Sequence, residues 1–175
     1  MFEGNLEITG KHGEYIRRLS ESIDSKNSIF SAGYYAYRAA SIIGFLYQRK
    51  SSKDSSPAKP FTIFSDQLRN VRDDIEFNYS LIMLLDKKHE PDFDKRLQKA
   101  FGGSEKKLSD EALFEQYSLG GIEVLYEKII KDANKPEDYL QNLFHFVQEF
   151  NTRYNATVDS GNLIELCRNA SLGKL

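Results

Sequence analysis

The residues that could do chemistry in this 175-residue chain are few and lie far apart. The chain contains three histidines and one cysteine, Cys167, and no local motif joins them. Two spacings place a histidine and a carboxylate on one helix face, Asp86 with His89 and His145 with Glu149. A di-iron bundle needs two Glu-x-x-His motifs and two further glutamates, which neither pair supplies. We therefore predict no metal and no cofactor.

Nucleophilic and phosphate-binding chemistry also find no support in the sequence. Cys167 lies between Leu166 and Arg168 in an apolar-periodic segment, which is typical of a small core residue rather than an activated thiol. No P-loop and no dinucleotide-binding glycine motif occurs. An enzyme would require a pocket that brings His89 or His145 together with carboxylates from distant segments. We predict that the protein is not an enzyme.

Charge and composition restrict the class of protein. There are 24 basic and 26 acidic residues, giving a net charge of −2, whereas nucleic-acid-binding proteins usually concentrate lysine and arginine. A single cysteine excludes an intramolecular disulfide, which disfavours the disulfide-stapled secreted class. The first residues resemble no signal peptide, because they contain neither a basic start nor an apolar run. These features predict a cytoplasmic protein.

The elements that must position any site are helical from end to end. Apolar residues recur at i, i+3/i+4 and i+7 in successive segments. This pattern predicts an all-α, single-domain bundle of six to eight helices without significant sheet. Residues 1–12 are expected to form a loose arm, residues 13–175 the helical domain, and residues 51–60 a polar loop within it.

Individual helices and their contacts can be assigned from the same pattern. The helix expected over residues 28–50 carries small residues, including Gly44, that would let another helix approach closely. Further helices are expected over residues 66–88 and from Pro136 to about Tyr154, and a last short helix carries Leu163, Ile164, Leu166 and Cys167. The Gly120–Gly121 pair indicates a sharp bend between two helices, with a single kinked helix as the alternative.

The aromatic content suggests how the protein works. Ten tyrosines and twelve phenylalanines make up 13% of the chain, and aromatic residues are enriched at the centres of protein interfaces. We therefore predict an adaptor or accessory subunit that binds another protein, or a second copy of itself, through a helix face. The candidate interaction residues, for each of which core packing is the alternative, are Tyr34, Tyr35, Tyr37, Tyr117, Gly120, Gly121 and Tyr126.

A second hypothesis of a different class is a nucleic-acid-binding accessory protein. Several basic residues could converge if the first three helices share a face. The candidate contacts are Arg17, Arg18, Arg38, Arg49, Lys50, Arg69 and Arg72. Such binding would weaken steeply with added salt, whereas contacts made by aromatic burial would not.

Two segments carry a resemblance, Ile43-Gly-Phe-Leu-Tyr-Gln-Arg-Lys50 and Tyr117-Ser-Leu-Gly-Gly-Ile-Glu-Val-Leu-Tyr126. Together they resemble an uncharacterised class of small helical bacterial proteins that occur beside DNA-modification or phage-defence genes. These motifs contain no catalytic group, so the resemblance assigns no functional residue. It implies an accessory subunit rather than a stand-alone enzyme.

Overall fold

A computed structural model describes residues 4–24, 26–102 and 108–154, and it confirms the mostly helical single domain. The last helix predicted from the sequence, with Cys167, lies outside the described residues. Within them, the helices are α1 (Gly10–Ser20), α2 (Gly33–Leu46), α3 (Ser65–Arg69), α4 (Arg72–Leu85), α5 (Phe93–Phe101), α6 (Leu108–Leu125) and α7 (Pro136–Tyr154). A π-helical turn, Tyr126–Ile130, continues α6.

The N-terminal segment differs from the predicted loose arm. Strand β1 (Leu6–Ile8) pairs antiparallel with strand β2 (Phe61–Ile63) to form a small two-stranded sheet, and α1 already begins at Gly10. Ile8 and Ile63 are buried in the core. The prediction of a loose arm was wrong here because a three-residue strand is too short to show a period, and its partner lies far along the chain.

The centre of the domain is the contact between α2 and α6. A Cβ atom on Gly44 would overlap the Tyr117 carbonyl oxygen, and one on Gly121 would overlap the Ala40 carbonyl oxygen. The predicted close approach to α2 is therefore confirmed. The predicted bend at Gly120–Gly121 was wrong, because α6 continues through both glycines to Leu125. At these two positions glycine allows α2 and α6 to pack closely, and it does not bend the helix.

Two predicted helices are shorter than expected. The segment 66–88 is divided between α3 and α4 at Asn70–Val71. Helix α2 ends at Leu46. The positive φ of 53° at Gln48 changes the direction of the chain, so Arg49 does not continue the helix. Residues 51–60 then cross the domain without forming a helix or strand. Among the described helices, none is both long enough and apolar enough to cross a membrane.

Candidate functional site

Two tyrosines predicted for an interaction surface lie in the core. Tyr37 is 2% exposed and Tyr117 is 1% exposed. The Tyr117 hydroxyl donates a hydrogen bond of 2.7 Å to Oδ2 of Asp86, and its ring meets the edge of Phe45 at 5.4 Å between centroids. For both residues the alternative of core packing holds and the assignment to an interaction surface fails, because spacing groups residues on one face of a helix without showing whether that face points inward.

The remaining aromatic candidates are half-buried and pack within the chain. The rings of Tyr34 and Tyr35 lie 4.4 Å apart, and the Arg38 guanidinium lies 5.3 Å from the Tyr35 ring. Tyr126 stacks on Tyr15 of α1 with 3.7 Å between ring centroids. Each of these three rings therefore already makes a contact within the chain.

The glycine pair predicted for the same surface is also buried. A Cβ atom on Gly120 would overlap the Arg49 carbonyl oxygen, and Gly121 lies against α2. Neither residue can present its backbone to a partner while α2 and the segment after it stay in place. The prediction that they belong to an exposed surface was wrong for this reason.

A buried carboxylate, Glu123, joins three segments that are distant in sequence. Its Oε1 accepts from the Ser51 hydroxyl at 2.7 Å, and the Lys11 ammonium and His12 Nε2 lie 2.8 and 3.1 Å from the same atom. Its Oε2 accepts from Nε of Arg49 at 3.1 Å. One side chain of α6 therefore holds both α1 and the segment after α2.

The protonation states of this cluster are set by burial and hydrogen bonding. Burial alone would raise the pKa of Glu123, but hydrogen bonds from Lys11, Ser51 and His12 outweigh it and lower the pKa to about 2. Burial lowers the pKa of His12 even though Glu123 favours its charged form. At neutral pH the carboxylate is therefore ionised and the imidazole neutral.

Ser51, His12 and Glu123 have the residue types of a catalytic triad without its geometry. In a triad the carboxylate contacts Nδ1 of the histidine while the nucleophile contacts Nε2. Here Ser51 Oγ and Glu123 Oε1 both lie 3.1 Å from Nε2, and the buried Nδ1 has no hydrogen-bond partner. His12 is also completely shielded from solvent. The arrangement clamps three segments together and lacks the contact between carboxylate and Nδ1 that orients the histidine of a triad.

A second buried carboxylate, Asp86, explains the Asp86-x-x-His89 spacing. Its Oδ1 accepts the backbone N–H groups of Lys88 and His89, both at 3.1 Å, and its Oδ2 accepts from Tyr117. The Lys50 ammonium lies 3.9 Å from Oδ2 and 4.6 Å from the Tyr117 ring centroid. Asp86 therefore organises the turn after α4, and the spacing is that of a turn rather than of two metal ligands.

His89 does meet a carboxylate from a distant segment. Its Nε2 lies 3.0 Å from Oδ1 of Asp110 at the start of α6, and the Lys99 ammonium lies 3.0 Å from the same oxygen. Burial would raise the pKa of Asp110, but hydrogen bonds from His89 and Lys99 outweigh it and lower the pKa. Because Lys99 already neutralises Asp110, the group joins α5 to α6 as an ion pair.

The other histidine–carboxylate spacing does not form a site. Glu149 binds the Lys128 ammonium at 2.7 Å and the Tyr47 hydroxyl at 3.2 Å, which ties α7 to the π-helical turn and to the end of α2. His145 is exposed. Throughout the part of the chain that the structure describes, no group of three or more histidine, cysteine or acidic residues could hold a metal ion.

Helix α5 is oriented with its large apolar residues outward. Phe93, Leu97 and Phe101 are 57%, 44% and 65% exposed, and we call these three residues the α5 apolar face. The buried residues of the helix are instead Arg96 and Ala100. A surface helix normally buries its apolar stripe. This inversion is the strongest indication of a binding surface among the described residues.

Arg96 is the cause of the inversion. Its Nε donates to the Leu84 carbonyl oxygen at 2.8 Å, and its Nη1 donates to those of Glu90 and Pro91 at 2.9 and 2.8 Å. A helix C-terminus leaves carbonyl groups without partners, and a guanidinium offers several N–H donors in a fixed geometry. Asp92 fixes the start of α5 by accepting backbone hydrogen bonds. The helix therefore turns Arg96 inward.

Sequence reasoning missed this surface although its signal was visible. The four-residue spacing of Phe93, Leu97 and Phe101 is typical of one helix face. Such a face is usually assigned to the core. The charged residue between them, Arg96, indicated a competing buried contact, but its acceptors become evident only once α4 and α5 lie side by side.

A second exposed apolar surface lies on α7. Leu140, Phe144 and Val147 are all exposed, and we call these three residues the outer α7 stripe. The side of α7 that packs on the core carries Phe146, with Phe150 partly buried beside it. Helix α7 is therefore apolar in two directions.

Most of the basic residues predicted for nucleic-acid contact are engaged within the chain. Arg69, in the last turn of α3, is exposed. The other six each contact an acceptor: Arg17 the Lys59 carbonyl, Arg18 Glu21, Arg38 Asp74, Arg49 both Glu123 and Glu127, Lys50 Asp86, and Arg72 Glu76. Much of the positive charge on these helices is therefore neutralised locally.

Comparisons with protein-family models, with curated proteins and with solved structures find no match for this chain.

Proposed function

We propose that this protein is a non-catalytic adaptor or accessory subunit that binds another protein through the α5 apolar face. One observation carries the proposal: α5 exposes Phe93, Leu97 and Phe101 while it buries Arg96. Single exposed apolar residues are common on protein surfaces, whereas contiguous apolar patches mark interaction sites, and Phe93, Leu97 and Phe101 follow one another at four-residue spacing. An amphipathic helix of this kind can lie in an apolar groove of its partner.

The position of the α5 apolar face supports recognition by a structured partner. The Asp92 carboxylate caps the first turn of α5, and Lys99 and Arg96 anchor the packed side of the helix to α6 and α4. The Ser80 hydroxyl on α4 also donates to the Ala100 carbonyl oxygen at 2.9 Å. Because the helix is held on that side, little ordering would be required when a partner binds.

The experiment compares two substitutions on α5. Leu97→Asp places a charge at the centre of the α5 apolar face, whereas Lys95→Asp makes a larger change of charge on the other side of the helix, about 200° away. Tagged wild-type protein and both variants are purified from the native cell at moderate salt, and retained protein and nucleic acid are identified. We expect a stoichiometric protein partner with the wild type and with Lys95→Asp, and its loss with Leu97→Asp.

Two results would refute the proposal. Either a partner held equally by Leu97→Asp or no partner with the wild-type protein would exclude the α5 apolar face as the binding site. Nucleic acid retained without a protein partner, and released by salt, would favour the nucleic-acid-binding alternative. Sedimentation of the wild type and of Leu97→Asp shows whether the partner is a second copy of the chain.

The resemblance to small helical bacterial proteins suggests the setting of such a partner. It would be a subunit of a DNA-modification or phage-defence system. This part of the proposal rests on the resemblance alone, whereas the choice of the α5 apolar face rests on exposure and packing.

A further inference from the structure

Two adjoining cavities lie between the N-terminal segment and α6. The larger one, the outer chamber, has a volume of about 310 Å³ and is bounded on α6 by Phe114 and Ala112. The smaller one, the inner chamber, has a volume of about 10 Å³ and contains His12 in its wall. The two chambers share three lining residues, Leu6, Tyr37 and Glu115. We propose that they bind a small organic amine, whose ammonium group lies in the inner chamber and whose apolar body fills the outer one.

The histidine of the inner chamber supplies a hydrogen-bond acceptor that no protein donor reaches. Among the described residues, Nδ1 of His12 is a buried side-chain atom without a hydrogen-bond partner. Nε2 of the same ring lies 3.1 Å from Oε1 of the ionised Glu123, so Nε2 carries the ring proton. In the neutral ring Nδ1 is then the acceptor. A ligand that brings an N–H group to Nδ1 would satisfy an atom that is otherwise left unpaired.

The other polar atoms of the inner chamber also favour a donor. The Thr9 hydroxyl donates to the Asp54 carbonyl oxygen at 2.7 Å, so its own oxygen keeps its lone pairs for a ligand. The Glu115 carboxylate lies 2.9 Å from the Lys53 ammonium, and its two oxygens have about four lone-pair sites, of which this contact uses one. An ammonium group has three N–H donors and no acceptor. It therefore matches the hydrogen-bonding character of the chamber.

The sizes of the two chambers divide the ligand into a head and a body. A cavity of about 10–15 Å³ holds one water molecule, and an ammonium group is of similar size. The outer chamber lies at the lower end of the range for small-molecule sites, about 300–1,000 Å³. Its side chains include large apolar groups, among them Leu6, Tyr37 and Phe114. The ligand is therefore a small molecule with one amine and an apolar or aromatic body.

The charges around the chambers favour a cation. Three acidic residues and one basic residue are found among the described side chains that line them, namely Glu7, Glu111, Glu115 and Lys53. A cleft whose charges are mostly of one sign raises the local concentration of ions of the opposite sign. An amine is therefore favoured over a neutral alcohol of the same shape. None of these residues belongs to the α5 apolar face, so the inference does not depend on the proposed partner site.

Calorimetric titration of the full-length protein with benzylammonium and with benzyl alcohol tests the inference. The two probes share a body and differ in the head group, so we expect benzylammonium to bind about ten times more tightly. Glu115→Gln should weaken the binding of benzylammonium about tenfold and leave that of benzyl alcohol unchanged. Glu76→Gln is the matched control, because Glu76 is also partly buried and paired with a basic residue, Arg72, but lies outside both chambers.

Nuclear magnetic resonance shows whether the ammonium group reaches the inner chamber. The ¹⁵N resonance of His12 Nδ1 should move upfield as benzylammonium saturates the protein, because Nδ1 then accepts a hydrogen bond. The resonances of His89 and His145 should not move. This measurement uses the wild-type protein, so it remains informative even if Glu115→Gln fails to fold.

Three results would overturn the inference. They are the absence of saturable benzylammonium binding in the millimolar range, equal affinity for the two probes, and a His12 Nδ1 resonance that does not respond at saturation. None of them affects the proposed partner site, which is tested by Leu97→Asp and Lys95→Asp.

Discussion

Replacing Gly121 by alanine tests the close packing of α2 and α6. Alanine favours a helix over glycine by about 1 kcal/mol, so helix propensity alone predicts a more stable protein. A Cβ atom at this position, however, would overlap the Ala40 carbonyl oxygen and lie 2.8 Å from the Gly44 nitrogen. Both neighbours are backbone atoms of α2, so no side-chain rotation can relieve the contact.

The expected magnitude is the balance of these two opposing effects. Overpacking a core usually costs about 1–3 kcal/mol, and we take the upper end because two helix backbones must separate. Subtracting the propensity gain leaves a net loss of about 2 kcal/mol in the free energy of unfolding. In a domain of this size that loss corresponds to a decrease of about 4–8 °C in Tm.

Urea denaturation followed by circular dichroism measures the effect of Gly121→Ala. Ala112→Gly is the matched control, because Ala112 is exposed in the same helix and its change reports mainly propensity, with an expected loss of about 1 kcal/mol. If Gly121→Ala instead stabilises the protein by the amount that the control loses, α2 and α6 do not approach each other this closely.

Two further substitutions test the buried carboxylates. The pKa of Glu123 is about 2 in the folded protein, below its ordinary 4.5, so the ionised group stabilises the fold above about pH 4.5 and this contribution is lost as the pH falls towards 2. We expect Glu123→Gln to lower the free energy of unfolding by about 1–3 kcal/mol at pH 7, measured by urea titration. The stabilities of variant and wild type should converge at low pH, and a difference between them that does not change with pH would contradict the prediction. Tyr117→Phe removes one hydrogen bond to Asp86, and we expect the free energy of unfolding to fall by about 1.5–3 kcal/mol in thermal or urea unfolding. An unchanged stability would show that this hydrogen bond contributes nothing.

The sequence predicted those features that depend on neighbouring residues along the chain. The last described helix begins at Pro136 and extends to Tyr154, as its proline and its apolar spacing indicated. The small residues of α2 correctly predicted a close helix contact. In both cases the determining groups lie within a few turns of one another.

The buried clusters show what local patterns could not predict. Glu123 was visible as a lone carboxylate in the apolar run from Gly120 to Leu125, which is a signal for a buried, paired charge. Its partners Lys11, His12 and Ser51 come from segments far along the chain, so no spacing connects them. Strand β1 was missed for the same reason, because its pairing with β2 is a long-range contact.

By itself, the sequence determined which residues share a helix face, because side-chain direction repeats with the helical period. Only the tertiary structure decided which face points inward. Tyr37 and Tyr117 face the core because α2 and α6 pack against each other there. The α5 apolar face points outward because Arg96 turns inward to donate to the Leu84 carbonyl oxygen at the end of α4. The contacts that orient each helix are made with its neighbours in space, so the spacing of apolar residues within the helix does not predict them.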